Sequence, residues 1–167
     1  KASRIACQAF DEMLSVIRAG MTEKEVAIEL NHRMLRLGSE QEAFATIACA
    51  GVNGALPHAV PSDHALSEGE LLTLDFGAQV GGYKTDMTRT VAIGKVSDEL
   101  KAVYDAVLTA QDMALGAIRA GVPCREVDRI ARDYLEARYP GAFGHSLGHS
   151  VGLFIHEGPQ LSAKSED

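Results

Sequence analysis

The stretch LDFGAQVGGYKTDMTRT, residues 74–90, carries two aspartates within a pattern that otherwise predicts a β-hairpin. Asp75 lies in the apolar run LLTLDFG, where a carboxylate is costly to bury without a partner. Asp86 lies in KTDMTRTVAI, whose β-branched, alternating residues predict the return strand. Gly81-Gly82 separates the two arms and is typical of a two-residue turn with positive φ angles. The hairpin therefore sets two carboxylates on facing strands.

Two registers of this hairpin bring the aspartates together. If the turn is centred on Gly81-Gly82, Asp75 opposes Thr88, and Asp86 is its diagonal neighbour on the same face. If the turn lies one residue earlier, the two aspartates oppose each other directly. Either register separates their Cβ atoms by about 5 to 8 Å. Carboxylates this close repel unless a cation lies between them, so the pattern favours a metal site over a solvated turn.

Histidines supply the complementary chemistry. Three of the six lie in HSLGHSVGLFIH, at His145, His149 and His156. Imidazole binds borderline metals and titrates near neutral pH, so it serves as a ligand or a proton carrier. His58, in the loop GALPHAVPSD, is a further candidate, and the other two histidines are assigned no role.

Composition excludes several classes of protein. The chain has 167 residues and a net charge of −7, which argues against a nucleic-acid or anionic-membrane partner. No apolar run approaches the roughly 20 residues of a membrane span. The three cysteines are scattered and lack C-x-x-C spacing, so a disulfide framework is not expected and the cytosol is the predicted location.

A repeated segment organises the rest of the chain. IRAGMTEKEV (17–26) and IRAGVPCREV (118–127) share Ile-Arg-Ala-Gly and Glu-Val at an offset of 101 residues. Apolar periodicity and capping residues predict helices over residues 1–19, 22–37, 97–119 and 124–138. A buried strand is predicted over residues 43–51 and an extended segment over 151–156. A helix, turn, helix, strand unit thus occurs twice, which predicts a pseudo-symmetric α+β fold.

Three motifs together resemble one enzyme family. LPHAVPSD, LDFG followed by TDMTRT, and GHSLGHSVGLFIHEGP occur in the order and approximate spacing of the pita-bread (creatinase/aminopeptidase) metallopeptidases. That family includes Xaa-Pro dipeptidases, aminopeptidase P and methionine aminopeptidases. The resemblance covers essentially the whole chain. It implies an α+β pita-bread fold with pseudo-twofold duplicated helix-helix-strand halves.

The resemblance also implies the residues of a dinuclear site. It makes three residues metal ligands: Asp75, Asp86 and His149. It places three histidines in the substrate pocket as catalytic residues: His58, His145 and His156. The implied cofactor is two divalent ions, Mn²⁺ first and Co²⁺ or Zn²⁺ as alternatives, bridged by the hydroxide that attacks the peptide bond.

Two ligands of the family's site are not matched in this sequence. The family adds two glutamates, in strands resembling T-x-E-P-G and R-x-E-D, and the sequence ends at Asp167 before either. Residues 1–167 are therefore expected to be a partial catalytic domain, incomplete at the C-terminus and preceded by an accessory domain in the intact protein. The fragment alone is expected to bind metal poorly and to be inactive.

The motifs favour the proline-specific members. PHAVPSD and DMTRTVAIG are more similar to these than to the methionine aminopeptidases, which implies hydrolysis of the bond preceding proline in short peptides. A methionine aminopeptidase-like enzyme, or a peptide-binding, chaperone-like member without catalysis, are the alternatives. Retention of the three ligands argues against metal-free creatinase. Dipeptide and longer substrates both stay open, as does a homodimer of the intact protein.

Overall fold

The computed structural model describes all residues, 1–167, as helices and antiparallel strands in two units. The first unit comprises Lys1–Ser97 and Val151–Ile155, and the second comprises Asp98–Ser150 and His156–Asp167. The mixture of helix and sheet confirms the predicted α+β class. None of the helices combines the length and apolar character that crossing a membrane demands.

The first unit packs two helices with antiparallel strands. Its helices are α1 (Ala2–Leu14) and α2 (Glu23–Arg36). Its strands are β1 (Ile47–Ala50), β2 (Leu71–Phe76), β3 (Gln79–Val80), β4 (Tyr83–Lys84) and β5 (Met87–Ala92). The sheet has the order β1-β2-β5, and β3 pairs with β4 as a separate two-stranded extension.

The ends of α2 follow from local sequence. The Thr22 hydroxyl accepts a hydrogen bond from the Glu25 backbone N–H (3.2 Å), and the Glu25 carboxylate accepts one from the Thr22 N–H (2.7 Å). This reciprocal capping box satisfies two N–H groups that the first turn leaves unpaired. Gly38 adopts a φ of 100° just past the helix and stops it. Both ends of α2 are therefore where the sequence predicts them.

The core of the first unit lies between the two helices and one face of the sheet. Burial alternates strictly along β2, with Leu72, Leu74 and Phe76 fully enclosed. The helices cover these side chains with an apolar stripe at helical spacing: Ile5, Ala9, Met13, Val26, Leu30 and Met34. Because side chains alternate along a strand, Asp75 lies on the face of β2 away from this core.

The second unit repeats the helix pair. Its elements are α3 (Asp98–Ala117), α4 (Cys124–Glu136), β6 (Gly148–Ser150) and β7 (Glu157–Leu161), with β6 antiparallel to β7. The repeat persists in packing, because buried positions of both helix pairs recur at the 101-residue offset. The recurring pairs are Ile5 and Ala106, Ala9 and Ala110, Met13 and Ala114, Val26 and Val127, Leu30 and Ala131, and Met34 and Leu135.

Three predicted elements differ from those observed. Helix α1 ends at Leu14, five residues early, where the chain tightens into a turn in which the Val16 N–H bonds to the Met13 carbonyl three residues back. Strand β1 covers only Ile47–Ala50 of the predicted 43–51. The extended segment predicted over residues 151–156 is wrong, since the Gly152 N–H donates to the Phe154 carbonyl (3.1 Å) in a tight bend.

Candidate metal centre

The hairpin adopts the first of the two predicted registers. Asp75 pairs with Thr88 across β2 and β5, and its carboxylate accepts a hydrogen bond from the Thr88 hydroxyl at 2.9 Å. Gly81 and Gly82 form the turn with φ angles of 61° and 79°. Positive φ at both central residues matches the twist of a two-residue hairpin, which explains why this position selects glycine.

Asp86 lies outside the strand that the sequence predicts for it. The return arm is interrupted after β4 and resumes at Met87, so Asp86 occupies the irregular residue just before β5. At this break the chain passes close to Gly77, where an added Cβ would lie only 1.9 Å from the Thr85 carbonyl oxygen. Both aspartates are half-buried, and Asp86 is two residues from the partner of Asp75.

Glu40 fastens the hairpin tip, a role that the sequence analysis missed. Its carboxylate accepts hydrogen bonds from the N–H of Gly81 (2.6 Å) and of Gly82 (3.4 Å). These bonds, the one from Gly81 above all, hold the pKa of the Glu40 carboxyl below its ordinary value. No local pattern marks Glu40, because its partners are about 40 residues away in the chain.

The second unit brings two of the predicted histidines together. The rings of His149 and His156 lie 4.4 Å apart between centroids. The third, His145, packs edge-on against Phe143 at 4.8 Å. The imidazole pair thus sets the predicted ligand His149 beside His156, which the sequence analysis assigned to the substrate pocket.

Hydrogen bonding sets the tautomers of two of these rings. His149 Nδ1 lies 3.1 Å from the Ser150 carbonyl, and His145 Nδ1 lies 2.8 Å from the Ser146 carbonyl. A carbonyl oxygen only accepts, so Nδ1 carries the proton and the lone pair of the neutral ring is on Nε2. For His149 this is the form in which an imidazole binds a metal, oriented by the bond on its other nitrogen.

His58 lies exposed in a loop that a buried glutamate holds at both ends. Glu23, fully enclosed at the start of α2, accepts hydrogen bonds from the end of β1 and from both flanks of the loop. The donors are the Ala50 N–H (2.7 Å), the Asn53 amide (2.8 Å), the Ser62 N–H (2.8 Å) and the Ser62 hydroxyl (2.7 Å). Burial alone would raise the pKa of Glu23, but these four donors outweigh it and keep the pKa below the ordinary value.

Glu23→Gln should lower the free energy of unfolding by about 3 kcal/mol at neutral pH. The glutamine NH2 group replaces one accepting oxygen and faces N–H and O–H donors with which it cannot bond. The folded-state pKa lies below the unfolded value of about 4.5, so the carboxylate's contribution is complete above that pH and is lost as the pH falls through the folded pKa. Urea titrations from pH 3 to 7 measure both effects. Glu25→Gln is the control, since glutamine also completes a capping box; equal stability of Glu23→Gln and parent at pH 7 would contradict the assignment.

The three predicted ligands lie in different parts of the chain. The first unit contributes the carboxylates of Asp75 and Asp86, and the second contributes Nε2 of His149. No three or more His, Cys, Asp or Glu side chains of the structure form a group that could hold a metal. Carboxylate oxygen with imidazole nitrogen suits manganese, cobalt and zinc.

Comparison with known proteins extends over the whole chain. The model of metallopeptidase family M24 matches residues 1–167. A Bacillus subtilis protein described as an uncharacterized peptidase, YqhT, is 42% identical over 99% of this chain and 47% of its own length. A Pyrococcus horikoshii Xaa-Pro dipeptidase is 40% identical over 99% of this chain and 48% of its own.

Solved structures agree with these matches. An Xaa-Pro dipeptidase from Bacillus anthracis superimposes with a TM-score of 0.96 at 45% identity, over 99% of this chain and 47% of its own. The prolidase from Pyrococcus furiosus gives 0.95 at 40% identity, over 99% and 50%. The likeness confirms the predicted pita-bread fold, and the chain spans about half the length of the relatives it matches.

Proposed function

Because the chain belongs to metallopeptidase family M24, we propose that it forms part of the catalytic domain of an enzyme that hydrolyses the peptide bond preceding proline. The observation that carries the proposal is the hairpin register, which sets Asp75 against Thr88 with Asp86 two residues away. Relatives described as Xaa-Pro dipeptidase and prolidase, similar along this entire chain, support the choice of substrate.

In this proposal Asp75, Asp86 and His149 hold two divalent ions, with Mn²⁺ the first choice. The half-buried carboxylates supply anionic oxygens, and the Nδ1–H···O bond of His149 directs its Nε2 lone pair outward from the ring. When bound, such ions lower the pKa of water and polarise the scissile carbonyl. Two ligands from outside residues 1–167 complete the site, as the family resemblance implies.

The remaining histidines bind substrate and hold protons. His156 lies against His149, the proposed metal ligand. Its imidazole can therefore donate a hydrogen bond to negative charge that develops on the substrate during the reaction. His145 keeps its proton on Nδ1, which leaves Nε2 to accept from the substrate or, once protonated, to donate. His58 lies on the loop that Glu23 holds and lines the pocket from there. Removal of His58 or His156 should cost roughly 10²-fold in rate.

Hydrolysis by the intact protein tests the substrate class. After chelation and addition of Mn²⁺, we expect an Xaa-Pro dipeptide to be cleaved and a Met-Ala peptide to be left largely intact. Preferential cleavage of Met-Ala would replace the proposal with a methionine aminopeptidase. Peptide binding without cleavage of either would replace it with a binding module. The acidic net charge argues against a nucleic-acid partner, and the three free thiols support a cytosolic location.

The amount of bound metal should differ between the 167-residue chain and the intact protein. We expect the 167-residue chain to retain little Mn²⁺ after dialysis and to be inactive, because it supplies three of the five ligands in the proposed site. The intact protein should retain the metal and cleave the peptide. Elemental analysis of both after identical dialysis decides the point, and stoichiometric, tight binding by the shorter chain would overturn this ligand set.

A further inference from the structure

An ion pair inside α4 is the most extensively connected polar group of the second unit. Asp128 is fully buried, and its two carboxylate oxygens accept from Nε (2.8 Å) and Nη2 (2.9 Å) of Arg132, one turn later. The two parallel bonds fix the plane of the guanidinium. The pair lies on the helix face that carries the buried Val127, Ala131 and Leu135, where an apolar residue is the ordinary choice.

The pair holds the segment 143–147, in which His145 is the central residue. Arg132 donates to the carbonyls of Phe143 and of His145, both at 2.8 Å, and Asp128 accepts from the Leu147 N–H at 3.0 Å. The guanidinium carbon also lies 4.5 Å from the centre of the Phe143 ring. That ring is the one against which His145 packs edge-on. The pair thus contacts the backbone of His145, the residue two positions later, and the aromatic support of its ring.

We propose that the Asp128–Arg132 pair is a positioning element that fixes the place and orientation of His145. The inference rests on the proposed function only in that His145 lines the substrate pocket. The pair does not touch the reacting atoms in this assignment; it acts through the segment that it holds.

The connectivity separates positioning from general stabilisation. A buried pair whose only role were stability could be replaced by apolar side chains with little loss, because desolvation offsets most of its attraction. Here three hydrogen bonds of the pair go to backbone groups of residues 143–147, a segment that belongs to no helix or strand. Apolar replacement should therefore leave the helix packed and release residues 143–147.

Hydrogen exchange of the intact protein tests the anchoring without any assay of activity. In Asp128→Leu/Arg132→Met, which removes both charges, exchange of the Leu147 amide should accelerate at least ~10-fold, because its N–H donates to Asp128, while α3 and α4 stay protected. Arg129→Met is the matched control, since Arg129 lies on the same helix and pairs only with exposed Glu126 and Asp133. Unchanged exchange of the Leu147 amide in the double variant would overturn the anchoring.

Kinetics then decide whether the anchoring acts through His145. Asp128→Leu/Arg132→Met should lower kcat/KM on an Xaa-Pro peptide roughly 10- to 100-fold, as a displaced pocket group does. In a His145→Ala background the same change should cost less than about twofold, because the group to be positioned is gone. An equal loss in both backgrounds would overturn the positioning role. An inactive parent enzyme would refute the proposed function instead, and the exchange result would still decide the anchoring.

Discussion

Asp86→Asn is expected to lower kcat/KM on an Xaa-Pro peptide by about 10³-fold or more and to release metal from the intact enzyme. A neutral amide oxygen is a weaker ligand than a carboxylate and does not neutralise the charge of two cations. Loss of the cation's stabilisation of the transition state amounts to several kcal/mol, and each 1.36 kcal/mol is tenfold in rate.

The structure explains why this substitution should leave the fold in place. Asp86 is half-buried and lies just before β5, outside the ladder that pairs Asp75 with Thr88. Asparagine has the same shape, so the strands and the Gly81-Gly82 turn are not disturbed. The free energy of unfolding of the metal-free protein should change by less than about 1 kcal/mol, as for substitutions that leave packing intact.

Metal analysis and steady-state kinetics check this prediction together. Asp63→Asn is the control, because Asp63 is an exposed aspartate of the same unit that pairs only with Lys24. It should keep the parent's metal content and rate, since exposed pairs contribute little. If Asp86→Asn kept both full metal content and full activity, Asp86 would not be a ligand.

Gly77→Ala is expected to reduce the free energy of unfolding by about 4 kcal/mol or more. The new methyl group would lie 1.9 Å from the Thr85 carbonyl oxygen and 3.0 Å from both Ala43 Cβ and Phe44 Cε1. Backbone cannot rotate away as a long side chain does. The Thr85 N–H is bonded to the Ala78 carbonyl, and the Gly77 carbonyl accepts from the Ala43 N–H. The segments around Gly77 and Thr85 would therefore have to separate to make room for the methyl group.

Denaturant unfolding followed by circular dichroism measures the loss. Gly116→Ala is the matched control, since Gly116 is exposed near the end of α3 with no atom within 4 Å of the added methyl. Alanine is the better helix former by about 1 kcal/mol, so this variant should match or exceed the parent. A Gly77→Ala protein as stable as Gly116→Ala would show that the close approach at Gly77 relaxes without cost.

Features that depend on neighbouring residues were predictable from the sequence. The Thr22 capping box and the Gly81-Gly82 turn each follow from a few adjacent side chains, and the pairing of Asp75 with Thr88 is one of the two registers that the sequence allows. The break before Asp86 was not predictable, because it lies where Thr85 approaches Gly77, eight positions earlier, and no local pattern marks that contact.

The loop-holding roles of the buried polar residues Glu23, Asp128 and Arg132 were missed for a related reason. Glu23 bonds to groups 27 to 39 residues away, and Arg132 to carbonyls 11 and 13 residues away, so no short motif marks either side chain. Asp128 did carry a signal. It interrupts the apolar stripe of α4 at a position between Val127 and Ala131, and a charge on such a stripe indicates a buried partner.

The repeated helix pairs record how the two copies diverged. The apolar positions that recur at the 101-residue offset changed only among residues of similar character, such as Leu30 and Ala131. The anchors did not recur: the equivalent of Glu23 is Cys124, and the equivalent of Asp128 is Ala27. Each copy acquired its own buried carboxylate, one helical turn apart, to hold a different loop. The helix scaffold therefore occurs twice, whereas the buried carboxylates that hold the loops of His58 and His145 occupy different helix positions in the two halves.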